Sequence, residues 1–481
     1  MSSSSQPSDR QPDWSVASER QPPLRLVFYG DDFTGSTDAL EVLALAGLRC
    51  ALFLRVPSVA ELASLGGFDA IGIAGDSRAM TPDEMRASLP SVFIAMQALA
   101  APLLHYKVCS TFDSAPGIGS IGTVIEIARD TLGERPLPIV AGTPALQRFC
   151  VFGNLFARSG TDGQIHRIDR HPIMHAHPVT PMAEADLIRH LGKQTSLRVA
   201  GFDITQLDRP ATAMNAAFDE ALAAQPAALL MDTASVAHLT EVGRLLDQQA
   251  MRSGPLFCIG SSGLEYALTQ WWARDARMPG APPETRLSPA SPLLVLSGSA
   301  SPLSATQIDT AVQAGFADVA LDAAALVSED MAPQAVEAVV DQVTGRLRDG
   351  QSVVMHTARG PADPRIDAMI GTFVARGASR MDATHAGGRL LGQRLGQIAQ
   401  RVLDGAPVQR LVLSGGDTSS QVTQVLAPDA LEVKTRLSPG APLCRFLSHK
   451  PRLDGLEVAL KGGQMGGADY FVRARDGDRT A

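Results

Sequence analysis

The chain has 481 residues, of which 45% are apolar, so it is long enough for two ordinary domains with large cores. Lysine and arginine number 42 against 50 aspartates and glutamates, a net charge of −8, which together with 5% aromatic residues argues against a nucleic-acid-binding surface. No uncharged apolar run of about 18 residues predicts a membrane span. Five scattered cysteines without a C-x-x-C pair indicate reduced thiols in a cytoplasmic protein, and disfavour zinc sites and disulfides.

The N-terminal residues 1–23 are rich in serine, glutamine, proline and charge, which predicts a disordered tail and no signal peptide. From residue 24 to residue 276, short apolar segments alternate with helical ones. Strands are predicted at residues 24–28, 51–54, 68–74, 103–107, 137–141, 197–200, 227–231 and from 256, with helices at about 40–47, 82–99, 121–131 and from 264. This rhythm predicts an α/β domain in which a mostly parallel sheet carries helices on both faces.

Residues 142–182 interrupt the alternation and contain four histidines, His166, His171, His175 and His177. A long irregular segment inside a compact domain is usually functional or disordered. Because the histidine spacing fits no compact zinc pattern, we interpret the segment as a substrate-contacting loop that includes His177, with metal binding as the alternative.

Proline, alanine and charged residues dominate 277–291, which is predicted to be a linker. The second domain, residues 292–481, repeats the first domain's pattern. Its strands are predicted at 292–296, 318–321, 352–356 and 410–413, and its helices at 332–348, 386–403 and 418–426. The fold class is therefore α/β, with two domains that are each a mostly parallel sheet with helices on both faces.

The loop after the first strand, residues 30–35 (G-D-D-F-T-G), holds two adjacent carboxylates, Asp31 and Asp32. In an open α/β sheet such a loop lies at the carboxyl end of a strand, where ligands bind. A helix N-terminus capped by aspartate and threonine is the alternative, but it explains one carboxylate and not two. We interpret the loop as a ligand-binding loop.

Two further strand ends in the first domain carry polar side chains. Lys107 is followed by Ser110, Thr111 and Asp113, which suits a small polyol acid if the lysine pairs with the carboxylate and the hydroxyls bind its hydroxyl groups. Arg78, after the strand at 68–74, could hold a carboxylate with two hydrogen bonds. The alternatives are a polar turn and a surface arginine.

Three glycine loops end strands of the second domain, at residues 297–299 (S-G-S), 414–418 (S-G-G-D-T) and 461–463 (K-G-G). Glycines let the backbone approach phosphate oxygens, and free N–H groups at a helix start favour an anion. Asp417 could reach a Mg²⁺ ion or a water in its shell. Each loop alone could equally be a tight turn; three at one sheet edge favour a phosphate site.

Several familiar signatures are missing or misplaced. There is no G-x-x-x-x-G-K-[ST] phosphate loop and no H-R-D or D-F-G protein-kinase motif. Residues 117–122 match the letters G-x-G-x-x-G, but a polar loop separates them from the preceding strand and they do not follow the first strand. A nicotinamide dehydrogenase is therefore poorly supported.

The chain resembles the four-carbon acid sugar kinase family, long called domain of unknown function 1537, from residue 24 to about residue 473. The motifs that carry the resemblance are residues 30–35 (G-D-D-F-T-G), 107–114 (K-V-C-S-T-F-D-S), 177–182 (H-P-V-T-P-M), 260–264 (G-S-S-G-L), 296–299 (L-S-G-S), 414–418 (S-G-G-D-T) and 461–463 (K-G-G). Together they are specific, whereas each alone is weak.

The resemblance implies an N-terminal domain that holds an acid sugar and a C-terminal domain that holds ATP with Mg²⁺. The nucleotide contacts it implies are Ser299, Gly415, Gly416, Asp417, Thr418 and Gly463. The acid-sugar contacts it implies are Asp32, Arg78, Lys107, Ser110 and Asp113, and we add Asp31, Thr111 and His177 as further candidates for substrate binding. We assign Asp32 as the base that accepts the proton of the attacking hydroxyl, with Asp113 as the second candidate, and Asp31 as structural or a further contact.

Within the family, the motif after Lys107 resembles that of 3-oxo-tetronate kinases and of the related 3-oxo-isoapionate kinases more than that of threonate kinases. The sequence implies small-molecule partners, no nucleic acid and no membrane, and leaves a homodimer open. The competing interpretation is a non-catalytic sensor of sugar acids that keeps the same fold.

Overall fold

The computed structural model describes residues 24–160, 163–176, 179–279 and 286–478. The predicted tail at 1–23, His177 and the centre of the predicted linker lie outside these ranges. Within them, no helix is both long enough and apolar enough to cross a membrane.

The first half alternates strands and helices as its sequence predicts, with one additional antiparallel unit. Its strands are β1 (Leu26–Gly30), β2 (Cys50–Phe53), β3 (Ala70–Ala74), β4 (Leu103–Lys107), β5 (Leu137–Val140), β6 (Arg148–Val151), β7 (Asn154–Arg158), β8 (Ile165–Arg167), β9 (Val199–Phe202), β10 (Ala228–Met231) and β11 (Leu256–Gly260). Its helices are α1 (Phe33–Leu45), α2 (Val59–Ser64), α3 (Pro82–Ala98), α4 (Ile121–Leu132), α5 (Leu187–Leu191), α6 (Ile204–Leu207), α7 (Ala211–Ala223), α8 (Val236–Ser253) and α9 (Gly263–Arg274).

The second half repeats the alternation and ends its sheet with a long hairpin. Its strands are β12 (Leu294–Ser297), β13 (Ala317–Ala320), β14 (Val353–His356), β15 (Arg410–Ser414), β16 (Ala430–Ser438), β17 (Ala441–Leu447) and β18 (Glu457–Lys461). Its helices are α10 (Pro302–Gln313), α11 (Ala323–Val327), α12 (Ala332–Arg348), α13 (Pro364–Val374), α14 (Arg380–Gly405), α15 (Gly416–Leu426) and α16 (Tyr470–Asp476).

The main sheet runs through both halves in the order β13-β14-β12-β15-β18-β17-β16-β2-β3-β1-β4-β11-β5-β10-β9. Strands pair in parallel from β13 to β18 and from β2 to β9, and the hairpin β16–β17 pairs antiparallel with β2 on one side and β18 on the other. The predicted α/β fold with mostly parallel strands is confirmed. The sequence did not predict that the two sheets join into one.

The buried strands are apolar along their whole length because both faces of the sheet are covered, and successive side chains point to opposite faces. In β1, Leu26 and Phe28 pack into one core layer and Val27 and Tyr29 into the other, and all four side chains are buried. The first layer contains buried residues of both halves, from Leu26 to Leu460, so the core on that face is continuous across the molecule.

The described part of the irregular segment 142–182 forms the small antiparallel sheet β6-β7-β8 and three short 3₁₀ turns. His171 is buried, and its Nδ1 atom accepts hydrogen bonds from the backbone N–H groups of Ile173 and Met174, both at 3.2 Å. His175 in turn lies 2.8 Å from the carbonyl oxygen of His171. Within the described ranges, no three His, Cys, Asp or Glu side chains are grouped to hold a metal ion.

Candidate functional site

The carboxyl ends of the central strands line up in register in the first half. Gly30, the last residue of β1, pairs with Ala74 of β3 on one side and with Lys107 of β4 on the other, and Lys107 also pairs with Gly260 of β11. The loops that leave these strands therefore begin at one edge of the sheet, as the sequence predicts.

Arg78 binds both aspartates of the loop that follows β1. Its Nε and Nη2 atoms donate to the two carboxylate oxygens of Asp31 at 3.0 and 2.6 Å, and Nη2 also donates to Oδ1 of Asp32 at 2.8 Å. Two parallel bonds to one carboxylate are the geometry that guanidinium favours. Burial raises the pKa of Asp31 to about 6, although the charge of Arg78 acts in the opposite direction.

Asp32 has a different environment from its neighbour. It is the N-cap of α1, where its Oδ1 atom accepts from the N–H of Gly35 at 2.9 Å, and 28% of its side chain is exposed. Asp31 has 6% of its side chain exposed. The helix-cap alternative is thus correct for Asp32. Asp31 instead pairs with Arg78. The more accessible of the two carboxylates is that of Asp32, at the start of the helix.

Lys107 is buried directly beneath the loop. Its Nζ atom lies 3.9 Å from Oδ2 of Asp38, a distance too long for a hydrogen bond. A Cβ atom placed on Gly35 would lie 2.5 Å from Nζ of Lys107 and 2.4 Å from Oδ1 of Asp32, so only glycine fits between them. The sequence singled out Lys107 but not Asp38, which is the nearest carboxylate to its ammonium among the described residues.

The loop after β4 is folded around Asp113. Oγ1 of Thr111 donates to Oδ1 of Asp113 at 2.5 Å and lies 2.9 Å from Sγ of Cys109, and Phe112 adopts a positive φ of 58°. Burial would raise the pKa of Asp113, but the charge of Arg78 and the bond from Thr111 hold it below its ordinary value. Ser110 lies half-buried in the same turn.

His190 forms hydrogen-bond contacts with this loop, a role that the sequence did not predict. Its Nε2 atom lies 2.9 Å from Oγ of Ser114 and 2.9 Å from Nε2 of Gln194. Burial lowers the pKa of His190 to about 4. A single histidine on a short helix carries no motif, so no signal in the sequence distinguishes it.

The three glycine loops of the second half also meet at one edge. Ser297 of β12 and Lys461 of β18 both pair in register with Ser414 of β15, so the loops that follow start side by side. A Cβ atom on Gly298 would lie 2.0 Å from Oγ1 of Thr418, and one on Gly463 would lie 2.6 Å from Oγ of Ser299. These close approaches explain the glycines and bring together the predicted nucleotide residues.

Gly415 adopts a φ of +119°, and a Cβ atom there would lie 3.0 Å from Oγ1 of Thr418 and 3.3 Å from the backbone N of Ser299. The positive φ at this N-cap lets α15 begin at Gly416, and the first N–H groups of a helix have no partner within it. Asp417 is exposed in the first turn of the helix. The local geometry is that of an anion-binding helix start.

Lys461 is 2% exposed, and its Nζ atom donates to Oγ of Ser414 at 3.0 Å. Among the described residues, no carboxylate lies within 4.0 Å of this ammonium group. Burial lowers the pKa of Lys461 to about 8. A buried cation beside a glycine cradle is suited to bind an anionic ligand.

The polar edges of the two halves face each other. A Cβ atom on Gly416 would lie 2.9 Å from Oγ1 of Thr34, which lies in the first turn of α1, directly after Asp31 and Asp32. Helices α1 and α15, which start at these two points, pack together. Within the described ranges, the residues predicted to contact the acid sugar lie around Lys107. The residues predicted to contact the nucleotide lie around Thr418.

Two family models match the chain. One is described as a sugar-binding N-terminal domain and matches residues 26–268, and the other is described as a nucleotide-binding C-terminal domain and matches residues 294–471.

Curated relatives match over nearly the whole length. The chain is 42% identical over 456 residues to a 3-oxo-isoapionate kinase from Paraburkholderia graminis, covering 94% of each chain. It is 30% identical over 458 residues to a 3-oxo-tetronate kinase from Methylobacterium radiotolerans, covering 94% of this chain and 99% of that one.

Solved structures share the fold at lower identity. A Salmonella typhimurium LT2 protein matches with a TM-score of 0.74 and 23% identity, covering 94% of this chain and 98% of that one. A Haemophilus influenzae protein of the DUF1537 family matches with a TM-score of 0.69 and 22% identity, covering 93% and 98%. Because the two family models span both halves and the curated relatives match over more than nine tenths of the chain, this chain belongs to the four-carbon acid sugar kinase family (DUF1537) and is a sugar-acid kinase.

Proposed function

We propose that the enzyme transfers the γ-phosphoryl group of ATP to the terminal hydroxyl of a small 3-oxo acid sugar, with 3-oxo-isoapionate as the preferred acceptor. The observation that carries this choice is the 42% identity over 94% of both chains to a 3-oxo-isoapionate kinase, against 30% for the 3-oxo-tetronate kinase. The alternative of a non-catalytic sensor is disfavoured because both of these relatives are kinases.

On the acceptor side, Lys107 binds the carboxylate of the acid sugar. Its nearest carboxylate, Asp38, is 3.9 Å away and leaves hydrogen-bonding capacity free, whereas Arg78 already donates to two aspartates. Ser110 and Thr111 bind hydroxyl groups of the sugar. In this arrangement Asp31 and Arg78 fix the loop rather than take part in chemistry.

On the donor side, the glycine cradle binds the phosphates of ATP. The residues we assign to it are Ser299, Gly415, Gly416, Asp417, Thr418 and Gly463. Support comes from glycines at which a Cβ atom would collide with neighbouring atoms of these loops. It also comes from the buried ammonium of Lys461, which gains an anionic partner when a phosphate binds.

The same edge fits a divalent cation. Asp417 presents an exposed carboxylate next to the hydroxyl of Thr418, and oxygen ligands of this kind suit Mg²⁺. When bound, Mg²⁺ neutralises charge on the phosphates of ATP.

Asp32 acts as the base. Its carboxylate is the more exposed of the pair and lies at the start of α1, and the neighbouring Thr34 is close to Gly416 of the cradle. A carboxylate at this place accepts the proton of the sugar hydroxyl as its oxygen attacks in line, and Asp113 is the second candidate.

The test is a coupled assay of ADP release with ATP, Mg²⁺ and a panel of acids. The panel contains 3-oxo-isoapionate, the 3-oxo-tetronates, threonate and erythronate. We expect the highest kcat/KM with 3-oxo-isoapionate. Equal or greater kcat/KM with a 3-oxo-tetronate would contradict the substrate choice, and absence of ADP release with every acid would contradict ATP as the phosphoryl donor to these acids.

A further inference from the structure

Glu41, on the third turn of α1, is held by two groups from the other half of the molecule. Its Oε1 atom accepts from Nε of Arg436 at 2.7 Å, and its Oε2 atom accepts from the backbone N–H of Gly440 at 3.1 Å. The residue is 3% exposed, so both carboxylate oxygens depend on these partners. Arg436 and Gly440 belong to the hairpin β16–β17.

The turn of this hairpin also contacts the nucleotide side. A Cβ atom on Gly440, which has a φ of +68°, would lie 2.4 Å from Cε of Met465. Met465 follows the glycine loop 461–463, and its carbonyl oxygen accepts from Nε2 of Gln307 at 3.0 Å. The hairpin turn therefore lies between the loop that would hold phosphate and the carboxylate on α1.

Helix α1 connects Glu41 to the acceptor site. Asp32 is the N-cap of the helix, nine residues before Glu41, which corresponds to about 14 Å along a rigid helix. A shift of the helix at Glu41 is transmitted to the loop that carries Asp31 and Asp32, because the backbone hydrogen bonds of one helix keep its length fixed.

We propose that Glu41 is a positioning residue that couples the two sites: nucleotide in the glycine cradle fixes the hairpin turn through Met465, and the hairpin fixes α1 through Glu41. This inference rests on the proposed use of ATP. By linkage, nucleotide then tightens acid-sugar binding, and acid sugar tightens nucleotide binding by the same factor.

The hairpin offers a matched pair of variants. Arg436→Ala removes the charged partner of Glu41, whose Oε2 atom keeps the N–H of Gly440, and circular dichroism of the variant checks that it is folded. Lys434→Ala is the control, because Lys434 lies on the same strand, is 39% exposed and pairs with Glu457 inside the second half.

The measurement is hydrogen–deuterium exchange of the α1 amides in the full-length protein, with and without a non-hydrolysable ATP analogue and Mg²⁺. In the natural protein and in Lys434→Ala, we expect the analogue to slow exchange in α1 by about fivefold or more, the lower end of typical coupling factors. In Arg436→Ala the slowing should fall below about twofold, and Arg436→Lys should restore part of it.

The outcomes separate this inference from the proposed function, with analogue binding measured independently by calorimetry. Failure of the analogue to bind the natural protein would overturn both. Binding without slower exchange in α1, or equal slowing in Arg436→Ala and the natural protein, would overturn the coupling alone. A purely structural contact would speed exchange in Arg436→Ala by the same factor with and without the analogue.

Discussion

The adjacent residues Asp31 and Asp32 have different environments because helix α1 begins directly after Asp32. Asp31 is buried against Arg78, while Asp32 caps α1 and stays partly exposed. The sequence predicted that this loop binds a ligand, with a helix cap formed by aspartate and threonine as the alternative. Only the structure shows that Asp32 is the cap and that Asp31 is held by Arg78, 47 residues later in the chain. The assignment of Asp32 as the base stays a prediction.

Replacing Asp32 by Asn should lower kcat by about 10²–10⁴-fold, because the amide cannot accept the hydroxyl proton. Asparagine caps helices as well as aspartate does, so the free energy of unfolding should change little. Steady-state kinetics and analogue binding together measure the effect, and we expect nucleotide affinity to be retained.

The control for this prediction is Asp322→Asn. Asp322 is the N-cap of α11, after the edge strand β13, and accepts from the N–H of Ala325 at 3.0 Å; because it is not among the assigned site residues, the same chemical change there should leave kcat unaltered. Near-normal kcat in Asp32→Asn would move the role of base to Asp113.

The lowered pKa of His190 predicts that the free energy of unfolding depends on pH. Burial lowers its pKa to about 4 in the folded chain, below the ordinary value of 6.5 in the unfolded chain. Unfolding therefore takes up a proton, and the contribution of neutral His190 is complete above about pH 6.5 and is lost as the pH falls to about 4. The loss corresponds to about 3 kcal/mol of unfolding free energy.

Urea unfolding of the natural protein and of His190→Gln at pH 7 and pH 4 measures this contribution. The natural protein should lose more stability between the two pH values than the variant does. His385→Gln, at an exposed position on α14, is the control and should match the natural protein. An equal loss in His190→Gln would show that the site does not hold a neutral imidazole.

At the scale of elements, glycines set how closely α14 approaches α15, the helix that begins at the nucleotide cradle. A Cβ atom on Gly396 would lie 2.6 Å from Cβ of Val425. On the same helix, Gly388 has no neighbouring atom within 4 Å of such a Cβ. The two positions therefore differ in packing while sharing the same helical backbone.

Alanine at these positions should have opposite effects. Gly396→Ala should destabilise the protein by about 1–3 kcal/mol because the added methyl group forces α15 away. Gly388→Ala should stabilise it by up to about 1 kcal/mol through helix propensity. Thermal unfolding measures both, and KM for ATP should rise only in Gly396→Ala. Similar effects of the two variants would argue against close helix packing.

Antiparallel elements are where the sequence was least informative. The segment 142–182 was expected to be a loop and instead forms β6, β7 and β8, and no strand was predicted at β16 or β17. Charged residues interrupt both strands of the hairpin, Glu432, Lys434 and Arg436 in β16 and Arg445 in β17, so neither has the continuous apolar run that marks a buried parallel strand. These segments form strands because they pair with neighbouring strands in the folded chain.

At the scale of the whole molecule, the halves share one sheet and one core layer. Residues 430–432 of β16 pair with residues 51–53 of β2, and the core layer on one face contains residues of both halves. Separation of the two halves would expose the edge of β2 and leave Glu41 without Arg436 and Gly440. We therefore expect the two halves to unfold together.

Denaturation followed by two probes measures this expectation. The described tryptophans, Trp271 and Trp272, lie on α9 and report on the first half, whereas far-ultraviolet circular dichroism reports on helices of both. Coincident midpoints would confirm a single cooperative unit. Midpoints that differ beyond error would show that the halves unfold independently.

The sequence by itself determined the alternation of buried strands and helices, the glycine loops at strand ends and the polar loops beside them, because these depend on local periodicity and on backbone conformations that few residues adopt. Only the tertiary structure decided that the hairpin β16–β17 joins the two sheets, that Arg78 holds both aspartates and that Glu41 pairs with Arg436, 395 residues away. Such contacts depend on how whole layers pack, and residue periodicity carries no information about that.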